Sequence, residues 1–438
     1  MTPDRSEYRG GPPAAPGETL SRARSVARLF PYLLYLSVFF AYLCDNGAFG
    51  PVIGRAGAGF FGLVPIVLLL ALLVSGRFTQ AFRRACSDPF TALLFFSGLA
   101  LIALQLVSNS RSGWTPIALK EELYWLSGVG TVLLLSATSA AGLLQEVRME
   151  LLAASFCAGQ AVNLAFALFG FPQLLEHVGT GLYYSGGSVK IGQLFSVVCT
   201  FSAIICANAA SMDFFRRRGL PAFMLGISLL SAFFIPTSGS RTGTVCFLLM
   251  LMMWGLSLRK KTAMLPVLLA YLCGSLLMFS LHNPRELNID NPSTVARIFM
   301  YRTDMWIIAS HPWVGIGMDL GNYQEYVRSS PYFAAFSVVD PWVAQYPIPH
   351  SWTLEIVVQS GVLAGALFLL FAFSASLLVW RSSGAVSEAA NWARVLLLAY
   401  LVINAGLLFH PLNDSFQWIL LASAFASVAV SASVKEQM

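Results

Sequence analysis

The sequence predicts an all-α protein that crosses a membrane about twelve times. Of its 438 residues, 57% are hydrophobic and only 11% are Asp, Glu, Lys or Arg, whereas soluble proteins carry about 25% charged residues. Apolar runs long enough to cross a bilayer as helices, roughly 20 residues each, recur along most of the chain. This composition excludes a soluble globule, a disordered chain and a nucleic-acid-binding protein.

We interpret twelve apolar runs as transmembrane helices. They lie at about residues 30–49, 57–76, 89–107, 123–142, 149–170, 190–210, 219–236, 242–257, 262–281, 351–380, 393–410 and 416–433. Nearly all of the seven cysteines fall inside these runs, and none forms a Cys-x-x-Cys pair. We therefore expect neither a disulfide framework nor a zinc site.

The distribution of basic residues predicts the orientation of these helices. Residues 1–28 contain five Arg and a Pro/Gly-rich stretch but no apolar core of the signal-peptide type, which indicates a disordered cytoplasmic tail. With this tail in the cytoplasm, about two thirds of the 27 Lys and Arg lie on the cytoplasmic side, as in most membrane proteins. The predicted organisation has helices one to nine over 29–281, a loop at 282–350, helices ten to twelve over 351–433 and a cytoplasmic tail at 434–438.

The loop at 282–350 differs from the other connections in length and composition. Long segments of this kind are usually functional or disordered. This one is rich in Trp, Tyr and Phe, which can pack together or lie in the headgroup layer. A helical pattern runs from about Pro292 to Ser310 and stops at His311-Pro312. We therefore expect a structured periplasmic cap that rests on the bilayer.

The predicted transmembrane helices hold no ionisable residue near their centres. Ion pathways and proton relays need such groups at membrane depth, so this pattern weakens the interpretation as a transporter. The predicted chemistry lies instead at the outer face, where three clusters of polar residues occur.

The first cluster is the turn at 237–243, Thr-Ser-Gly-Ser-Arg-Thr-Gly, which contains Ser240 and Arg241. Its short residues let the backbone bend sharply, and the planar guanidinium of Arg241 matches two oxygens of a phosphate. Taken alone, the turn is more simply explained as a short outer loop with an Arg anchored at the interface.

The second cluster is Arg302-Thr-Asp-Met-Trp, followed by Pro312-x-x-Gly315-x-Gly317. A helix carrying Arg302 would end at the proline, and the two glycines would permit a close turn back toward the membrane. Arg297, on the same segment, is the main rival for the active role. The alternative is an interfacial helix whose arginines face lipid headgroups.

The third cluster is Pro-His-Ser-Trp-Thr-Leu-Glu at 349–355, which contains His350 and Glu355. An imidazole titrates near neutral pH and can take a proton from a hydroxyl group. The alternative is a His that only caps a helix or lies at the interface. Glu355 follows His350 by five residues, which on a regular helix turns it to another face, so no orienting pair is assumed.

Together and in this order, the Ser-Gly-Ser-Arg turn, the Arg-x-x-x-Trp helix with Pro-x-x-Gly-x-Gly, and Pro-His-Ser-x-x-Leu-Glu before Gly-x-x-x-Gly resemble the O-antigen ligase and polymerase superfamily of polytopic glycosyltransferases. The motifs cover about residues 237–365. The first half of the chain is similar only in its hydropathy pattern.

The resemblance implies an all-helical fold similar to the class C glycosyltransferases. It implies transfer of a glycan from undecaprenyl diphosphate to a hydroxyl of lipid A core oligosaccharide, at the periplasmic face of the bacterial inner membrane. By position, Arg241 and Arg302 look like the family's diphosphate-binding arginines and His350 like its essential histidine. Ser240, Arg297 and Glu355 are supporting candidates. The sequence contains no Asp-x-Asp, so we expect a metal-independent, inverting transfer without a cofactor.

Three other functions stay open at this stage. A repeat-unit polymerase would use the same residues on a different acceptor. A transporter of lipid-linked sugars would need the broken or charged helices that are characteristic of such proteins. A scaffold without catalysis would tolerate loss of His350 and both arginines. Membrane lipids are expected neighbours in every case, and neither a nucleic acid nor an obligate protein partner is expected.

Overall fold

The computed structural model describes residues 16–41, 50–144, 147–170, 292–339, 351–382 and 417–426, together with isolated positions in 223–274 and 341–347. These residues are helical and include no β-strand, which confirms the predicted all-α class. In chain order the described helices are α1 (Pro16–Ala27), α2 (Leu29–Ala41), α3 (Gly50–Val74), α4 (Phe78–Ala85), α5 (Pro89–Ser112), α6 (Pro116–Ala140), α7 (Met149–Gly170), α8 (Pro292–Ser310), α9 (Leu320–Ser329), α10 (Phe333–Val339), α11 (Trp352–Ser360), α12 (Val362–Ser382) and α13 (Gln417–Ala426).

Three of these helices, α5, α6 and α12, are long and apolar enough to cross a membrane. A fourth span is possible if Ala58–Val74 of α3 and the whole of α4 count as one broken segment, although the two helices meet at 111°. The chain therefore has the character of a polytopic membrane protein. The total of twelve stays a prediction, because the runs expected at 190–210, 219–236, 242–257, 262–281 and 393–410 lie mostly outside the described residues.

The expectation of a disordered N-terminal tail is wrong for residues 16–27. Residues Pro16–Ala27, expected to be disordered, form α1, in which Ala23 and Ala27 are fully buried. The helix packs on α3, and this burial offsets the entropy cost of ordering a polar segment. Residues 78–85, between the predicted helices at 57–76 and 89–107, form the short helix α4.

The helix expected over 351–380 is also interrupted. The chain breaks at Gly361, whose φ of +89° ends α11 and begins α12. Residues other than glycine rarely adopt this conformation. The break therefore falls at a glycine inside the apolar run.

The membrane helices pack closely where small residues allow it. A Cβ added at Gly98 of α5 would lie 3.0 Å from Val129 of α6 and 3.2 Å from Phe371 of α12. At one end of the α5–α12 pair, Asp88 caps α5 and lies 3.4 Å from the guanidinium of Arg381. The structure therefore places Asp88 and Arg381 at the same end of the bundle.

An aromatic cluster joins four helices in the interior. The rings of Trp125 (α6) and Trp418 (α13) are 5.0 Å apart, and those of Trp352 (α11) and Phe368 (α12) are 4.9 Å apart. Gly128 makes room for the indole of Trp418, because any Cβ there would overlap it. The cluster fixes α11 against the membrane helices. α11 lies next to the end of α5 that is opposite to Asp88.

The described part of the long loop, 292–339, forms a cap of three helices with its own apolar core. α8 packs on α10 and α11. The core residues are Ala296, Met300, Ile307, Ile316, Tyr323, Val327, Phe336, Ala344 and Val358. Val358 belongs to α11, so the cap shares its core with that helix.

Candidate active site

The connection between α8 and α9 docks into the break between α11 and α12. Ile316 N–H donates to the carbonyl of Val358 at 3.0 Å, and Gly317 N–H donates to that of Gln359 at 2.9 Å. On the other side of the break, Val362 N–H donates to the carbonyl of Pro312 at 2.8 Å. We refer to residues 311–319 as the docking loop. Its backbone pairs polar groups that the helix ends would otherwise leave without partners.

Glycine is required at the points of closest approach. Gly315 and Gly361 have φ of +67° and +89°. A Cβ at Gly315 would overlap the carbonyl of Gln359, and one at Gly361 would overlap the carbonyl of Trp313. Gly315 and Gly361, one glycine from each of the two glycine motifs, are thus explained by one contact between two backbones, whereas a Cβ at Gly317 would overlap the side chain of Ser112 in α5.

Polar side chains of α5 hold the docking loop from a third direction. Asn109 accepts a hydrogen bond of 2.9 Å from the backbone N–H of Met318 and donates one of 2.8 Å to Glu122 of α6. Ser108 donates to the carbonyl of Gln359 at 2.6 Å. All three side chains are buried. The docking loop is therefore tied to α5, α6 and the α11–α12 break.

These α5 and α6 residues are absent from the sequence prediction. Asn109 and Ser108 follow the apolar run at 89–107, and Glu122 precedes the run at 123–142, so they were assigned to an outer connection. The structure extends both helices by at least one turn and buries the polar ends. The run Ser-Asn-Ser-Arg-Ser at 108–112 and the pair at 121–122 were the available signals.

Inside the cap, Asp304 of α8 is fully buried and accepts a hydrogen bond of 2.7 Å from the hydroxyl of Tyr323 on α9. Burial raises the pKa of Asp304 from 3.8 to about 7, although the bond from Tyr323 favours the ionised form. Burial and the neighbouring Asp304 raise the pKa of Tyr323 well above its usual value. This pair fixes α8 against α9 and so fixes the helix that carries Arg302.

The two candidate arginines of α8 have different environments. Arg302 is exposed, and no described residue forms a hydrogen bond or ion pair with it. Arg297 is half-buried and lies close enough to Tyr301 to act on its pKa. The two residues that follow Arg302, Thr303 and Asp304, are buried. Arg302 thus points away from the cap core.

Glu355 is buried in α11 and accepts a hydrogen bond of 3.2 Å from Gln359. It lies near enough to Tyr323 to raise the pKa of that residue. The helix begins only at Trp352, with Ser351 as its N-cap. Because the helix begins after His350 in the sequence, the five-residue spacing does not place His350 and Glu355 on two faces of one regular helix.

Arg241, Ser240 and His350 lie outside the described residues. The described residues include the exposed Arg302 of α8, the N-cap residue of α11 that follows His350 in the sequence, and the docking loop that fixes α11. Their mutual arrangement stays a prediction.

Residues 226–369 match the family model described as "O-Antigen ligase". No match was found among curated proteins. The matched range is about a third of the chain. It includes the three sequence motifs, the cap, α11 and the start of α12, and it excludes Asn109 and Glu122.

Proposed function

We propose that this membrane protein is a glycosyltransferase that completes lipopolysaccharide, because residues 226–369 match the O-antigen ligase family model. The donor is a glycan on undecaprenyl diphosphate, and the acceptor is a hydroxyl of lipid A core oligosaccharide. The reaction takes place at the periplasmic face of the bacterial inner membrane. The family match carries the proposal, since it covers the same residues as the motifs with Arg241, Arg302 and His350.

In this proposal His350 is the general base. It removes the proton from the acceptor hydroxyl, whose oxygen attacks the anomeric carbon opposite the diphosphate. The new glycosidic bond forms as the bond to the diphosphate oxygen breaks, and the single displacement inverts the anomeric centre. Since Ser351 caps α11, His350 directly precedes a helix N-terminus in the sequence.

Arg241 and Arg302 neutralise the departing lipid diphosphate. Arginine binds phosphate oxygens in pairs and keeps its charge at any physiological pH. The diphosphate leaves as an anion and needs no proton from an acid. The exposure of Arg302, and the buried Asp304–Tyr323 bond that fixes its helix, support its role as a preorganised cation. We propose that no metal ion takes part, because two arginines supply the charge.

The lipopolysaccharide banding pattern of a deletion strain tests the proposal in the cell. A ligase predicts loss of all O-antigen from lipid A core, with long chains accumulating on the carrier lipid. Cores that bear a single repeat would assign the protein to the polymerase function instead. An unchanged pattern would contradict both enzymes, and return of the wild-type pattern on expression of the intact gene is the control.

A further inference from the structure

A cavity of about 350 Å³ lies between the end of α5, the docking loop and α9. Its polar and aromatic lining residues are Arg111, Ser112, Ser310, His311, Trp313 and Tyr326. The volume is at the lower end of ligand pockets, which span about 300–1,000 Å³. Neither Arg297 nor Arg302 lines the cavity, so among the described residues it is separate from the predicted transfer residues.

The cavity carries an available positive charge. Arg111 is exposed, and no residue in the described part of the chain forms a hydrogen bond or ion pair with it. A guanidinium in this state can offer two parallel N–H groups to a phosphate or carboxylate. His311, half-buried beside it, offers a further ring nitrogen.

Aromatic rings form the rest of the lining. Trp313 is 76% exposed, an unusual state for the largest apolar side chain. The rings of His311 and Tyr326 meet edge to face, with centroids 5.1 Å apart. A Trp face is a flat apolar platform, and its ring quadrupole attracts positively polarised C–H groups, which a pyranose ring presents on its faces. Trp313 and Arg111 together provide a stacking surface and an anion contact.

The cavity wall is rigid. Gly315 N–H donates to the carbonyl of His311 at 3.2 Å and closes the turn that carries Trp313. The same turn is fixed to α12 through Pro312 and to α11 through Ile316, as described above. A preorganised wall reduces the ordering cost of binding.

We propose that this cavity binds one anionic sugar unit of the acceptor oligosaccharide, with its ring on Trp313 and its phosphate or carboxylate on Arg111. The proposal rests on the proposed function for the identity of the oligosaccharide. Trp and Arg also occur at membrane interfaces, where they contact lipid phosphates. The sugar is favoured because the cavity lies against the cap, with His311 and Tyr326 as its walls, rather than on a lipid-facing helix surface.

The test is direct binding to the full chain in phosphatidylcholine nanodiscs, measured by saturation-transfer difference NMR. The probes are glucose 6-phosphate, glucuronic acid and neutral glucose. Charged sugars are expected to bind at least tenfold more tightly than glucose, and Arg111→Gln should remove this preference, because the variant loses the charge-assisted hydrogen bond to the anion. Trp313→Ala should weaken all three probes.

Matched controls are available in the described structure. Lys120→Gln removes an exposed positive charge from α6, and Trp114→Ala removes an indole that is 48% exposed beside α5. Neither residue lines the cavity. Both variants should bind the probes within twofold of wild type. An equal loss of probe binding in a control variant and in its matched cavity variant would overturn the proposal. Wild-type probe binding in Arg111→Gln and Trp313→Ala would overturn it as well.

The experiment distinguishes lipid binding by the cavity from failure of the proposed transferase function. If the sugars do not bind and Arg111→Gln reduces only the association with phosphatidylglycerol, the cavity is a headgroup site and the proposal is wrong. If the chain transfers glycan and the cavity variants keep the wild-type acceptor KM, the cavity proposal fails while the function stands. Charged sugars that bind through Arg111 to a chain without transferase activity would support the cavity and contradict the function.

Discussion

Asn109 and Glu122 are joined by a buried hydrogen bond of 2.8 Å between α5 and α6, while the same amide accepts the backbone N–H of Met318. One side chain thus connects two membrane helices to the docking loop. Truncation of Asn109 would leave a buried carboxylate and a buried N–H without this partner, and each such loss costs about 1–3 kcal/mol.

We therefore expect Asn109→Ala to lower the thermal unfolding temperature in detergent and to reduce transfer. Ser110→Ala is the control, because Ser110 is exposed and bonds only to its own helix, at the carbonyl of Leu106. Unfolding monitored by fluorescence-detected gel filtration measures both variants. Equal unfolding temperatures for Asn109→Ala and wild type would contradict the linking role.

The second prediction concerns the break between α11 and α12. Gly361→Ala should destabilise the protein, because a left-handed conformation costs an L-residue about 1–2 kcal/mol and the new Cβ would overlap the Trp313 carbonyl. Gly130→Ala is the matched control, since a Cβ at Gly130 of α6 meets no atom within 4 Å. The measurement is resistance to limited proteolysis at the docking loop. Similar resistance in both variants would show that the close approach is unimportant.

The third prediction uses the buried carboxyl of Asp304. Its folded-state pKa of about 7 lies above the usual 3.8, so the folded cap holds a proton that the unfolded chain releases. The free energy of unfolding should then fall by up to about 1.4 kcal/mol for each pH unit between these two values, and stop falling above about 7. Asp304→Asn keeps an acceptor for Tyr323 and should remove this contribution.

The corresponding measurement is thermal unfolding of wild type and Asp304→Asn at pH 5 and pH 7.5. The wild type should lose more stability between the two than the variant does. The difference between the two proteins cancels the contributions of other groups. Parallel losses would mean that Asp304 is ionised in the folded cap across this range.

The fourth prediction concerns metal ions. Transfer by the purified enzyme should persist in excess chelator, because Arg241 and Arg302 are proposed to carry the charge of the diphosphate. The assay is product formation with and without chelator, followed by addition of magnesium. Strong inhibition that magnesium reverses would mean that a cation takes part in holding the diphosphate.

The extent of agreement between sequence and structure follows from the kind of signal each residue provides. Apolar length predicted both ends of α7 and the existence of α5 and α6, because burial in lipid depends on composition, but it missed the polar turns at the end of α5 and the start of α6. Apolar length did not predict the break at Gly361. There a glycine inside an apolar run ends the helix and contacts a segment more than forty residues earlier in the chain. Apolar length also failed at α1, whose order comes from packing on α3.

The candidate active site also contains residues that sequence patterns identify and residues that only the fold identifies. The motifs with Gly315 and Gly317 were recognisable because tight backbone contacts require glycine at fixed positions. Asn109 and Glu122 were not recognisable, since their partners are distant in the sequence and an amide at a helix end has no characteristic spacing. Tertiary contacts alone determine which polar residues at this end of the helices are buried.

The most direct measurement of the central claim is in vitro glycan transfer by His350→Ala, alongside binding of the lipid diphosphate donor, in a folded and detergent-solubilised preparation. We expect the rate of transfer to fall by a factor on the order of 10² to 10⁴ with donor affinity nearly intact, because the acceptor proton is not a binding determinant. Arg241→Lys, in the same assay, should lose both affinity and turnover. Wild-type turnover in His350→Ala would contradict the assignment of the base, and with it the proposed mechanism.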